Sequence, residues 1–363
     1  MIEIRKFNIL QEAIMHKFIS SKILILILIL IVILFSANQN LFSQNVSKTG
    51  TTAASFLEIG VGAVANGMGG AFVGLANDAS TLYWNVAGIA ALNKYEVILV
   101  HTDWIADTKY DYAGLIIPLG DFGKLGLSFT SLSMGDMKVR TVEQPDGTGE
   151  NFSAGDIAVA ISFARSLTER FSVGITAKYI KQSIWHMSSS AFAIDAGTLF
   201  KTDLLGGMTI GAVLSNFGTP MQLDGRDTRY FIRIDETKQG SNERIPTNIE
   251  LDSWDLPLHF QIGVSTPAFQ YEEYKLTVSA DAIVPNNDYQ SLNVGAEFSF
   301  MNFLSIRGGY NSLLLKDAEG GLSFGVGVNS KMLLSTAIVN FDYAFRDFGK
   351  LKNVHSFSVG IKF

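Results

Sequence analysis

Two neighbouring stretches decide the fold: "DIAVAISFAR" (156–165) and "RFSVGITAKYI" (170–180), separated by "SLTE" (166–169). In the first, Ile157, Val159, Ile161 and Phe163 alternate with Ala158, Ala160, Ser162 and Ala164. In the second, Phe171, Val173, Ile175, Ala177 and Tyr179 alternate with Ser172, Gly174, Thr176 and Lys178. A period of two marks a β-strand with one apolar face. A soluble sandwich turns its apolar face inward and shows charge to water. A membrane barrel turns the apolar face out to lipid and keeps small or polar residues inside. Here the second face is mostly Gly, Ser, Thr and Ala rather than Lys and Glu, which favours the barrel.

The same rhythm runs outward along the chain, in "KLGLSFTSL" (124–132), "GLSFGVGVNS" (321–330) and the final "HSFSVGIKF" (355–363). It predicts 14 strands, from 95–105 through 354–363, each of about 10 residues, the length that crosses a bilayer when tilted. An even count is what single-chain bacterial barrels require. Aromatic residues cluster at strand ends (Tyr110, Tyr112, Phe122, Phe171, Tyr179, Phe298, Phe300, Phe303, Tyr343 and Phe345), as interfacial girdles would. Connections after even-numbered strands are short, among them "LGDFG" (119–123) and "SKMLL" (330–334). The two long ones, 134–154 and 218–255, follow the third and seventh strands, so both fall on one side, as extracellular loops do. The terminal Phe363 resembles the signal read by the outer-membrane insertion machinery.

Composition agrees. Hydrophobic residues make up 47% and charged residues 17% of the chain, and there are 34 glycines. That suits a β-rich protein in an apolar environment better than a soluble enzyme. The absence of cysteine excludes disulfides, thiolate metal sites, a cysteine nucleophile and a lipoprotein anchor. A net charge of −6 argues against a broad nucleic-acid surface. The histidines (His16, His101, His186, His259 and His355) are scattered, and no catalytic or metal-binding motif is present. No catalytic, cofactor or metal residue is predicted.

The first 44 residues read as a secretory signal peptide. Lys17 and Lys22 precede 13 uninterrupted apolar residues, Ile23 to Phe35, and "SANQNLFSQ" follows. Thirteen is short of the roughly 20 needed by a membrane-spanning helix. Glu3 and Glu12 suit such a leader poorly, so translation is expected to start at Met15, with cleavage near Ser43–Gln44. A retained signal anchor is the alternative.

Residues 45–94 break the strand rhythm. Glycines at 60, 62, 67, 69, 70 and 74 allow tight turns and close packing, which suits a compact segment inside a barrel lumen. Asp78 is placed to cap a helix beginning at "ASTLYWN". The run lacks the lysine and the spacing of a phosphate loop.

"FLEIGVGAVANGMGGAFVGLANDASTLYWNVAGIAAL" (56–92) closely resembles the N-terminal signature of the PorV/PorQ family of outer-membrane proteins, relatives of FadL-type long-chain fatty acid channels. Gly67, Gly69, Gly70, Asp78, Trp84, Asn85, Ala87 and Gly88 are among the matching positions. The family's Asn-Pro-Ala triplet reads Asn85-Val86-Ala87, and the Arg of its Gly-Ala-Arg-Ala run is Val64. The resemblance implies a barrel of about 14 antiparallel strands (95–363) with this glycine-rich segment as a hatch inside it. Partners implied are outer-membrane lipid, the translocon or attachment complex of type IX secretion, and cargo carrying a C-terminal secretion domain. The alternative implied is a channel for long-chain fatty acids or other hydrophobic small molecules. Tyr230, Phe231 and Trp254, in the longer loop, are candidate contacts. Strand parity predicts that Lys178, Asp195, His259, Asp281, Glu297, Arg307, Asp342 and Lys362 face the lumen, where opposite charges would pair and rigidify it.

Overall fold

The structure is a computed structural model describing residues 49–233, 237, 244–315, 318, 320–330 and 337–363. The leader at 1–44, the start at Met15 and most of the turn at 330–334 lie outside the described residues. Among the described residues, fourteen long strands form one sheet, to which the two-residue strand Asp224–Gly225 adds at Met187–Ser188: β1 (Glu96–Asp103), β2 (Lys109–Pro118), β3 (Lys124–Ser133), β4 (Ala154–Ser166), β5 (Phe171–Ile184), β6 (Met187–Lys201), β7 (Thr209–Gly218), β8 (His259–Tyr271), β9 (Tyr274–Pro285), β10 (Ser291–Phe300), β11 (Leu304–Leu313), β12 (Leu322–Asn329), β13 (Ile338–Asp347) and β14 (Asn353–Lys362). Each pairs antiparallel with the next, and β14 pairs with β1, from Glu96 opposite Lys362 to Asp103 opposite His355. The sheet is therefore a closed barrel with no free edge.

The register fixes which residues point out. On β12 the outward Leu322, Phe324, Val326 and Val328 are exposed, while Ser323 is buried inside. Leu99, Ile161, Ile175, Phe192, Phe341 and Phe357 continue this apolar exterior around the wall. Water would penalise such a surface and lipid would not. Tyr95 and Phe363 stack at one rim, 5.7 Å between ring centroids, next to the bond from the Phe363 N–H to the Tyr95 carbonyl. Tyr274 packs against Phe298 and Phe300 near the ends of β9 and β10.

Two of the aromatics expected in a girdle are not there. Tyr110 and Tyr112 are buried inside, opposite Thr102 and Val100 of β1. Both faces of "KYDYAGLIIP" contain bulky residues, so alternation alone does not say which is out. β8 also begins and ends three residues later than the expected 256–268. Pro257 has no N–H to give to a ladder, so pairing begins at His259. Pro267 is accommodated where β8 has run past its pairing with β7 and shifts register against β9.

Connections 119–123, 167–170, 202–208, 272–273 and 301–303 are short and lie at the rim that carries Tyr95. The long connections, 134–153 and 219–258, lie at the opposite rim. Each folds back on itself. Met137–Lys138 pairs with Asn151–Phe152 in the first, and Arg229–Ile232 pairs with Ile245–Asn248 in the second.

Residues 49–94 run through the interior from the long-loop rim to the start of β1. At the long-loop rim, the Ala53 N–H donates to the Asp255 carbonyl (2.9 Å) and the Ala54 N–H to Gln182 Oε1 (2.9 Å). The segment then forms single helical turns at Ala63–Gly67, Thr81–Trp84 and Val86–Ala91. Val61, Ala63, Ala65, Met68, Ala71, Phe72, Val73, Ala87 and Ile89 are all fully buried, which places them within the wall rather than at its mouth.

Candidate functional site

Inward glycines make room for this segment. A Cβ on Gly126 would strike Leu82, one on Gly174 would strike Val86 and Ala87, and one on Gly211 would strike the Val73 carbonyl. A Cβ on Gly295 or Gly309 would strike Met68, and one on Gly325 would lie 3.1 Å from the Gly67 Cα. Strands β3, β5, β7, β10, β11 and β12 thus each give up a side chain where the segment touches them. The segment reciprocates at Gly69 (φ 68°) and Gly70 (φ 78°), a backbone region that other residues rarely adopt.

Hydrogen bonds fix the contact. Asp281 Oδ2, on the inner face of β9, accepts the N–H groups of both Phe72 and Val73 at 2.8 Å. Buried hydrogen bonds of this kind contribute about 1 kcal/mol each. We therefore expect Asp281→Asn to leave the barrel closed and to raise amide exchange at Phe72 and Val73 selectively, read by hydrogen-exchange mass spectrometry. The Gly67 carbonyl accepts from Ser323 Oγ (3.2 Å), and the Gly69 carbonyl from Asn311 Nδ2 (3.1 Å).

The Tyr-Trp-Asn motif is an internal clamp. Trp84 Nε1 donates to the Val61 carbonyl at 2.7 Å. Asn85 Nδ2 donates to the Val73 and Thr198 carbonyls, both at 3.0 Å, joining two parts of the segment to β6. Asn85 Oδ1 accepts the Ala87 N–H (3.2 Å), and the Asn85 carbonyl accepts the Gly88 N–H (2.9 Å). Gly88 is pressed against Thr81 and Ala76, with no room for a side chain. Asp78 is not a helix cap. Its Oδ1 takes the Ser80 N–H (2.8 Å) and hydroxyl (2.6 Å) in a turn before the helix, and Ser80 holds the N-cap position without its hydroxyl accepting from the helix.

Val86 occupies the first position of its helical turn, after Asn85 in an extended conformation (φ −160°, ψ 98°). Proline is accepted at a first helical position, and its preceding residue prefers such extended angles. Val86→Pro should therefore keep the fold and change stability by no more than about 1 kcal/mol, measured by thermal unfolding in detergent. A loss of several kcal/mol would show that Val86 is needed where the family's proline is not tolerated.

The eight predicted lumen residues all lie on inward positions of their strands, in separate groups. Arg307 reaches Glu297 through Nε (2.6 Å) and Asp342 through Nη1 (2.7 Å), and the guanidinium is only 6% exposed. Lys178 pairs with Asp195 at 2.6 Å and donates to Asn216 Oδ1 at 2.8 Å. Lys362 pairs with Glu96 at 3.1 Å near the Tyr95 rim. Asp281 serves the segment. His259 stands near Lys178 and makes one long contact, 3.4 Å, to the Pro257 carbonyl.

Sequence reading missed Glu96, Asn216 and Arg346. Glu96 and Arg346 have inward parity, the latter on the same face of β13 as Asp342, so alternation could have found them. Asn216 sits at a register shift between β6 and β7 with φ 63°, donating its N–H to Asp195 Oδ1 (2.8 Å) and Nδ2 to the Pro257 carbonyl (3.1 Å). Nothing in the sequence marks that bulge.

A cavity of about 330 Å³ remains between the segment and the long-loop rim. Beyond it, the Arg229–Ile232 hairpin stands exposed. Tyr230 and Phe231 are 61% and 62% exposed, and Trp254, paired with Met221, is 48% exposed. Arg244 lies 5.9 Å over the Phe231 ring. Among the described residues, no cluster of His, Asp and Glu could hold a metal ion.

The family described as "Type IX secretion system protein PorV" matches residues 42–260. No curated protein matches the sequence. Among solved structures, the Pseudomonas putida toluene transporter TodX is similar in fold, with a TM-score of 0.51, 12% identity, and coverage of 84% of this chain and 97% of that one. The Ralstonia pickettii toluene transporter TbuX (TM-score 0.49, 13% identity, 84% and 97% covered) and a Pseudomonas aeruginosa FadL homologue (0.46, 11%, 84% and 98%) also match.

Proposed function

Because the chain belongs to the PorV family of type IX secretion system proteins, a family of non-enzymatic components, we propose that it is an outer-membrane shuttle or attachment-complex component that receives secreted cargo. In this reading residues 1–44 are a cleaved leader, 45–94 a hatch, and 95–363 the membrane barrel. Cargo carrying a C-terminal secretion domain meets the long extracellular loops, with Tyr230, Phe231 and Trp254 as anchors. The observation that carries the reading is the pairing of a packed lumen with an exposed aromatic hairpin. The interior is occupied by the chain's own backbone, whereas the outer rim offers large rings of the kind that dominate protein interfaces.

A second reading, a channel for hydrophobic small molecules, is favoured by the 330 Å³ cavity. Affinity purification from outer membranes tests both. Recovery of secretion machinery or of proteins with the secretion domain, lost on Tyr230→Ala/Phe231→Ala, is the expected result. Recovery of the barrel alone with bound lipid would overturn the first reading in favour of the second.

A further inference from the structure

The cavity at the long-loop end carries a charge that the packed lumen does not use. Arg346, near the outer end of β13, lines it. Its guanidinium lies against two rings that meet edge to face, 5.4 Å from the Trp104 centroid and 5.2 Å from that of Phe348. Nε and Nη2 are buried and have no hydrogen-bond partner, and the side chain has no ion pair among the described residues. Arg307 and Lys178 are held by carboxylates at 2.6–2.7 Å. Among the described residues, Arg346 has two aromatic rings against it and no ion pair.

Arg346 as a whole is half-buried, and a partly desolvated cation without a counter-charge is costly, a cost that aromatic faces offset only in part. An anion in the cavity would offset the rest. Three other charged side chains line the cavity: Asp288, exposed and accepting the Tyr289 N–H at 2.7 Å, Glu58 and Lys178. Glu58 accepts from Asn287 Nδ2 (3.2 Å), and burial pushes its carboxyl up. Lys178 is committed to Asp195 and Asn216. The rest of the wall is rich in rings, with Tyr83, Trp84 and Tyr289 joining Trp104 and Phe348. The volume is at the small end of the range for small-molecule pockets, about 300–1,000 Å³.

We propose that this cavity is a binding site for a small aromatic carboxylate, its ring among these side chains and its carboxylate at the Arg346 guanidinium. The site is distinct from the exposed hairpin, and it stands whether or not cargo binding there is correct.

Isothermal titration of the purified protein in non-ionic detergent tests it, with indole-3-acetate and its neutral amide as probes. We expect saturable binding of the acid, about tenfold or more tighter than the amide, since a bond to a charged group is worth that factor. Arg346→Gln should abolish the preference, and Arg346→Lys, which keeps the charge, should retain part of it. Folding of each variant is checked by its heat-dependent mobility on gels. Equal binding of acid and amide, unchanged affinity in folded Arg346→Gln, or no saturable binding of either probe to the folded wild type would each overturn the proposal. Should Arg346→Gln not fold, the acid-to-amide ratio in the wild type decides alone.

Discussion

Arg307→Met is expected to destabilise the barrel by about 3–5 kcal/mol, the cost of breaking a buried ion pair from one side. Arg307 is 6% exposed and is bonded to both Glu297 (13%) and Asp342 (9%). The three sit on adjacent inward positions of β10, β11 and β13, with Gly325 and Gly327 of β12 giving them space. Removing the guanidinium leaves two largely buried carboxylates without their shared cation. Arg307→Lys keeps the charge but can reach both partners only as a compact ammonium, so it should lose less. The comparison is made by denaturant unfolding in lipid vesicles. A loss below about 1 kcal/mol for Arg307→Met would mean that the trio is solvated and does not brace the wall.

The second large effect is steric and has its control on the neighbouring residue. Gly309, inward on β11, would drive a Cβ into the backbone of Met68 and Gly69, whereas Gly308, outward on the same strand, has nothing within 4 Å of the equivalent atom. Forcing bulk into a packed interior costs about 1–3 kcal/mol or more. Gly309→Val should therefore leave the hydrogen-bonded wall closed while expelling residues 60–75 from their seat, seen as protease cleavage within that stretch. Gly308→Val should behave as wild type. Equal protease resistance in the two variants would mean that the segment is not held against β11.

The wall was legible in the sequence because strand alternation is local. Each of the 14 strands shows in a window of about ten residues, and the lipid-facing side of "GLSFGVGVNS" can be read directly. Where both faces are bulky, as at Tyr110 and Tyr112, alternation is silent about direction, and the two rings turned out to be interior. The packing of the N-terminal segment was legible only as glycine content. Its actual partners, such as Asp281 with Phe72 and Val73, lie more than 200 positions apart, and no periodicity links them. Inward charges followed from parity, but their grouping did not. The register shift that brings Asn216 to Asp195 and Lys178 is a property of two strands together. Arg346 had the right parity and was still passed over, because its meaning comes from Trp104 and Phe348 on other parts of the rim.

The interior of the barrel is occupied by the chain's own N-terminal segment. Planar-bilayer recording of the purified wild-type protein tests that most directly. A filled lumen predicts no steady open-channel conductance. Stable ohmic conductance of an open pore in the wild type would contradict it.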